Sequence, residues 1–277
     1  MKRIFVLFIL FFFTLPVNAF GWHSPERAVK NVINSQIKYA NQGNFDKFIS
    51  TYDSGYVNAD GFNLEIYSKL VKEIWNSFNN IKYGIKIKDI KISNNKAIAE
   101  VTEYTNAYLA LSKSYTGKLD SKSESVYYLK KVNGKWKVYS DSVLDETTTM
   151  LYGEAKDLDV KLSVPLLIEP NTEYTAALEL ITPKNMVAIA SITSEKVEYP
   201  QKQSKEVFRP ITEDHILERL FTSNNENLNE YIIASIGLTQ TDICDLSIKM
   251  SLAGFGYILR RVNVMKPDNK EVLDEQN

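Results

Sequence analysis

Hydrophobic and polar positions follow two successive regimes along the first half of this chain, a spacing near 3.6 and then a spacing of 2. Ser24-Pro25-Glu26 opens a helix, with a capping hydroxyl, a proline where no amide donor is needed and an acid in the first turn. Ala28, Val29, Val32, Ile33, Ile37 and Ala40 recur at helical spacing until Gly43 stops the run. Asn44 restarts it, and Phe45, Phe48, Ile49 and Tyr52 form a short amphipathic helix. A polar bend with Asp53, Gly55 and Gly61 follows. A third helix runs from about Asn63 to Asn79, its stripe being Tyr67, Leu70, Val71, Ile74, Trp75 and Phe78.

After Asn80 the spacing becomes 2. Ile85, Ile87, Ile90 and Ile92 nearly alternate with lysines, and the slip predicts a bulge near Asp89. Asn94-Asn95 turns the chain into a long strand from Ala97 to about Ala110. A polar loop from Ser112 to Lys122 then leads to a strand over Ser125 to Val132. Asn133-Gly134 reads as a two-residue hairpin turn into Trp136, Val138 and a strand reaching Leu144. Helices followed by an antiparallel sheet predict an α+β domain with the helices on one sheet face.

The junction Gln42-Gly43-Asn44-Phe45-Asp46, with Tyr52 after it, and the hairpin Tyr128 to Val138 carry a resemblance to the nuclear transport factor 2-like superfamily. The resemblance covers residues 24 to about 150. It implies a cystatin-like cone in which a curved sheet wraps around helices and leaves a pocket at the wide end.

Glu154 to Asp159 loses the pattern and marks a boundary. Beyond it lie strand-like runs: Val160 to Ile168, Tyr174 to Ile181, Met186 to Ile192, Glu230 to Leu238, Leu246 to Leu252 and Gly256 to Val264. Their length and spacing predict a β-sandwich-like second domain, interrupted by one helix, Thr212 to Phe221, with Ile216, Leu217 and Leu220 buried. Gly254-Phe255-Gly256 reads as a bend. The domain division is therefore residues 1–19, 20–153, 154–266 and a disordered tail, 267–277.

Residues 1–19 read as a signal peptide. Lys2-Arg3 precedes an apolar run from Ile4 to Phe13, and Val17-Asn18-Ala19 supplies small residues for cleavage before Phe20. The protein is expected to be periplasmic or secreted, with no membrane association after cleavage. Cleavage removes two of the 33 basic residues and none of the 34 acids, leaving a net charge of −3. No Lys/Arg stripe points to nucleic acid. Cys244 is the only cysteine, so no internal disulfide forms, and with His23 and His215 far apart no zinc spacing exists. His215 falls in the short helix. We expect no metal and no cofactor.

No nucleophile elbow appears, and the acids beside Cys244 blunt it as a nucleophile. The resemblance puts Asp53 near the position where ketosteroid isomerase carries its base, although the first helix offers no matching oxyanion tyrosine, Tyr39 lying near its end. On the long strand Glu100 and Tyr104 share a face, and on the last strand so do Tyr139 and Asp141. If that face is concave, these residues converge with Asp53 and Tyr56 on a small ligand, with Asp53 and Glu100 as the catalytic candidates. If it is convex, the inward set is Ala97, Ala99, Val101 and Thr105 with Trp136 and Val138, around a small apolar pocket.

Fold alone does not imply catalysis. The leading reading is a non-catalytic exported binding or scaffold protein, with a small molecule or a protein as partner. The alternatives are an acid–base enzyme of isomerase, dehydratase or hydrolase type, and an assembly protein that forms a homodimer through its sheet. Sixteen tyrosines suit a contact surface.

Overall fold

The computed structural model describes residues 24–78, 80–110, 115–202, 204–244 and 247–265, without the side chains of 241–250. The readings of residues 1–19, Phe20 and His23, of the tail 267–277 and of the Cys244 side chain lie outside the described residues.

Each helix starts where a side chain caps it. The Ser24 hydroxyl accepts from the Arg27 amide (3.2 Å) ahead of α1 (Pro25–Asn41), and Asn44 accepts from the Lys47 amide (3.2 Å) ahead of α2 (Phe45–Ile49). Asn63 accepts from the Ile66 amide (2.9 Å) ahead of α3 (Leu64–Ser77). Four long antiparallel strands follow: β1 (Lys82–Ser93), β2 (Lys96–Ala110), β3 (Thr116–Val132) and β4 (Lys135–Gly153). Asn133 and Gly134 both take positive φ, 49° and 79°, the left-handed pair a tight hairpin turn needs. The register slips between Ile87 and Asp89, at the place the isoleucine spacing indicated.

Helix α1 packs against both β1 and β4. These strands lie three spacings apart, about 14 Å in a flat sheet, whereas a helix with its side chains is only about 10–12 Å across. The sheet therefore has to wrap around the helix, and the bulges in β1 and β4 supply the bend. Val29, Ile33 and Phe48 meet Ala99, Leu129 and Val138 in the core between them. Burying each of the larger aliphatic side chains contributes roughly 1.5–3 kcal/mol.

A one-turn 3-10 segment (Glu154–Asp157) leads to β5 (Val160–Ser163), β6 (Leu167–Ile168), β7 (Glu173–Leu180), β8 (Met186–Lys196) and β9 (Arg209–Pro210). Next come β10 (Ile216–Thr222), β11 (Glu230–Cys244) and β12 (Ser247–Val264). The main sheet runs β1-β2-β3-β4-β12-β11-β8-β9, with β6 pairing in parallel on β12. Residues 147–153 of β4 pair with 254–260 of β12, so one sheet carries both halves of the chain. A separate sheet, β10-β7-β5, sets Ala176, Leu178 and Leu180 against Ile192, Ile232 and Leu238. The protein is α+β, with a large antiparallel sheet and few helices.

Four local expectations are corrected. Thr212 to Phe221 is not a helix: β10 pairs with β7, turning Leu217 and Phe221 to the core and leaving Ile216 and Leu220 exposed. His215 precedes it at φ 63°, in a turn. Positions 216, 217 and 220 fit a helical period only because β10 carries aliphatics on both faces. The run 247–264 is one strand, and Gly254-Phe255-Gly256 is no bend. A Cβ on Gly254 would stand 2.5 Å from the Ala155 amide nitrogen, so the glycine lets the 3-10 segment approach β12 closely. The polar loop expected up to Lys122 ends at Thr116, because Leu119, Ser121 and Ser123 continue the pairing with β2. The run from Val160 is split by Pro165 into β5 and β6.

Candidate ligand site

Where the helices stand off from the sheet, a cavity of about 450 Å³ opens between α1, α3 and strands β2 to β4. The inward residues of β2 are Ala97, Ala99 and Val101, all buried, followed by Glu103 and Thr105, which line the cavity. Ser121, Ser123 and Tyr127 of β3 line it beside them. Two irregularities in the β3–β4 register decide what β4 contributes. Val138 and Asp141 both turn inward because Tyr139 is an extra, unpaired residue between them. A second slip near Leu144 sends Glu146 and Thr148 inward as well.

The sequence-derived candidates divide accordingly. Tyr139 and Asp141 do not share a face, because the bulge separates them: Tyr139 lies on the outer side against Tyr128 and under the Lys130 ammonium. Glu100 and Tyr104 are exposed on the outer face of β2. Asp53 is buried but outside the cavity, paired with Lys130 at 2.9 Å and accepting from the Gly55 amide at 2.9 Å. Burial pushes its pKa up, but the Lys130 contact, the Gly55 amide and the charge of Lys137 outweigh that and hold it below the usual carboxylate value. Tyr56 and Asp141 are brought together, the phenol donating to Asp141 Oδ2 at 2.5 Å. Of the alternative inward set, Ala97, Ala99, Val101, Trp136 and Val138 are buried and Thr105 lines the cavity, but the pocket they adjoin is not purely apolar.

Its floor is acidic. Glu103 accepts from the Ser125 hydroxyl (2.7 Å) and the Tyr127 phenol (2.5 Å). Glu146 accepts from Thr148 (3.2 Å) and Tyr231 (3.3 Å), and burial raises its pKa. Asp141 is pushed up to about 7, first by burial and then by the charges of Glu103 and Asp60, against the opposing pull of Tyr56 and Arg261. Arg261 is 1% exposed and reaches across from β12 to grip both oxygens of Asp60, at 2.5 and 3.1 Å. The walls are aromatic: Tyr52 and Tyr67 stand 5.1 Å apart, ring centre to ring centre, with Phe48 and Trp75 beside them and Tyr56 packed against both tyrosines. Burial raises the phenols of Tyr52, Tyr67 and Tyr127 well above their usual pKa and that of Tyr83 to about 12, so they remain hydrogen-bond donors.

Glu103, Glu146 and the Asp60–Arg261 pair were not among the expected site residues. Glu103 had a signal, being the one acid between Val101 and Thr105 on an otherwise apolar face. Gln36 had one too, a polar residue on the buried stripe of α1. Asp60 and Arg261 are 201 positions apart and had none.

Residues 31–150 match a family model described as the C-terminal domain of the anti-sigma-I factor RsgI9. No curated protein matches the chain. Among solved structures, Kfla4162 from Kribbella flavida is 10% identical over 43% of this chain and 88% of its own, with a TM-score of 0.37. A putative dehydratase of the NTF2-like family from Streptomyces avermitilis is 13% identical over 43% and 94%, with a TM-score of 0.35. Bd1075 of Bdellovibrio bacteriovorus is 15% identical over 42%, with a TM-score of 0.35, and the match spans 38% of its length. A segment of about 42% of the chain is similar to nuclear transport factor 2-like proteins. The similarity covers a segment only.

Proposed function

We propose that this chain is an exported binding protein that holds a small amphipathic molecule beneath its helices. The observation that carries this reading is the 450 Å³ cavity, which has the size of a ligand site and sets a few polar groups among aromatic walls. The match of residues 31–150 to the C-terminal domain of an anti-sigma-I factor is consistent with a binding role. In this reading the N-terminal segment is a three-helix cone and residues 154–266 are a sandwich-like support, tied to the cavity by Arg261. A hydrophobic fluorophore titrated against the purified protein tests it: one molecule should bind per chain, and Thr105→Phe or Ser123→Phe, which fill the cavity, should each abolish binding. Equal binding by both folded variants refutes the assignment.

A second reading is favoured by one feature. Asp141, with a pKa of about 7 and a Tyr56 phenol at 2.5 Å, has the proton affinity of an acid–base catalyst at neutral pH. An Asp141→Asn variant that binds ligand as tightly as wild type and shows no loss of any turnover rules it out.

A further inference from the structure

Gln36 is 2% exposed, lines the cavity, and has no hydrogen-bond partner for either its amide nitrogen or its amide oxygen among the described residues. It stands between Ile33 and Ala40 on the buried stripe of α1, where a leucine would pack without any polar group to satisfy. An unpaired buried polar group costs about 1–3 kcal/mol, so a carboxamide kept there for packing alone is a poor solution. One held out to a ligand is a good one, because it offers a donor and an acceptor in a single plane.

The charges of the same cavity add a second requirement. Glu103, Asp141 and Glu146 line it, and its one cation among the described lining residues, Arg261, is already engaged by Asp60. Even with Asp141 sharing its proton near neutral pH, the lining holds more carboxyls than cations and lies beside aromatic rings, the surroundings in which an organic ammonium is held.

We propose that the cavity recognises an aryl amine that also carries a carboxamide, with Gln36 pairing the carboxamide and the Glu103, Asp141 and Glu146 wall receiving the ammonium. This rests on the binding-pocket reading and gives it a ligand class. Anionic and neutral aryl compounds lack the ammonium, and simple aryl amines leave Gln36 unpaired.

Calorimetric titration of the full-length chain with phenylalaninamide, phenethylamine and N-acetylphenylalaninamide tests it, in wild type and in Gln36→Leu. Phenylalaninamide should bind wild type roughly tenfold more tightly than phenethylamine, a difference of about 1.4 kcal/mol, and that ratio should fall towards one in Gln36→Leu. The acetylated, uncharged probe should be at least about tenfold weaker than phenylalaninamide in both proteins. Gln36→Leu should unfold at the same temperature as wild type or higher, since it removes an unpaired group. An unchanged ratio in Gln36→Leu, or a fall of several degrees in its midpoint, assigns Gln36 a structural role and overturns the proposal. If the fluorophore binds wild type but none of the cations does, the ligand class is wrong and the pocket reading stands; if the fluorophore also fails, both fall.

Discussion

Asp141→Asn should change the pH dependence of stability. The carboxyl is held near 7 in the folded protein against 3.8 for an ordinary aspartate, so the native state keeps its proton over a range in which the unfolded chain has lost it. Stability from this group is complete below about pH 4 and is lost as the pH rises to about 7. Three pKa units at about 1.4 kcal/mol each set an upper bound of about 4 kcal/mol, and water entering the cavity lowers the expected loss to about 2–4 kcal/mol. The groups facing Asp141 are Tyr56, Glu103, Asp60 and Arg261, and all four are present in both proteins, so the difference between the two profiles reports on Asp141. Urea unfolding of wild type and Asp141→Asn at intervals from pH 4.5 to 8 isolates the difference. The asparagine oxygen still accepts from Tyr56, so the variant should fold and should gain on wild type with rising pH, by about 2–4 kcal/mol across the range. Parallel profiles would refute the assignment of a raised carboxyl at this position.

Other consequences follow from the same geometry. Arg261→Met should cost about 3–5 kcal/mol in urea unfolding because it strands the buried Asp60 carboxylate, and adding Asp60→Asn should recover part of that loss. Gly254→Ala should cost about 1–3 kcal/mol, as its Cβ meets backbone 2.5 Å away and has no flexible side chain to displace. Leu217→Ala should destabilise measurably while Leu220→Ala stays within about 0.5 kcal/mol, since only Leu217 faces the core; equal effects would restore the helix over this segment.

Much of the local structure is legible in the residues themselves, for reasons that can be named. Capping side chains at Ser24, Asn44 and Asn63, the Asn133-Gly134 turn and the isoleucine slip near Asp89 act within a few residues of where they stand, so the sequence displays them. Residues 216–222 misled because strand β10 carries aliphatics on both faces and mimics a helical period. The cavity was harder to see. Extrapolating strict alternation along β4 puts Tyr139 and Asp141 on one face, and nothing local to Val138-Tyr139-Ser140 announces the bulge that parts them. Glu103 and Gln36 were visible as polar residues on apolar faces, a pattern more informative than the polar face of Glu100 and Tyr104, which is polar because water covers it. The Asp60–Arg261 pair joins distant segments and is a product of the tertiary fold alone.

The most direct test follows the Gln36 side-chain amide itself. In a nitrogen-edited NMR spectrum its two amide protons, assigned by their loss in Gln36→Leu, should shift progressively as phenylalaninamide is added and saturate at one equivalent per chain. Signals that stay fixed through saturation, while amides on the outer face move, would contradict a ligand site beneath the helices.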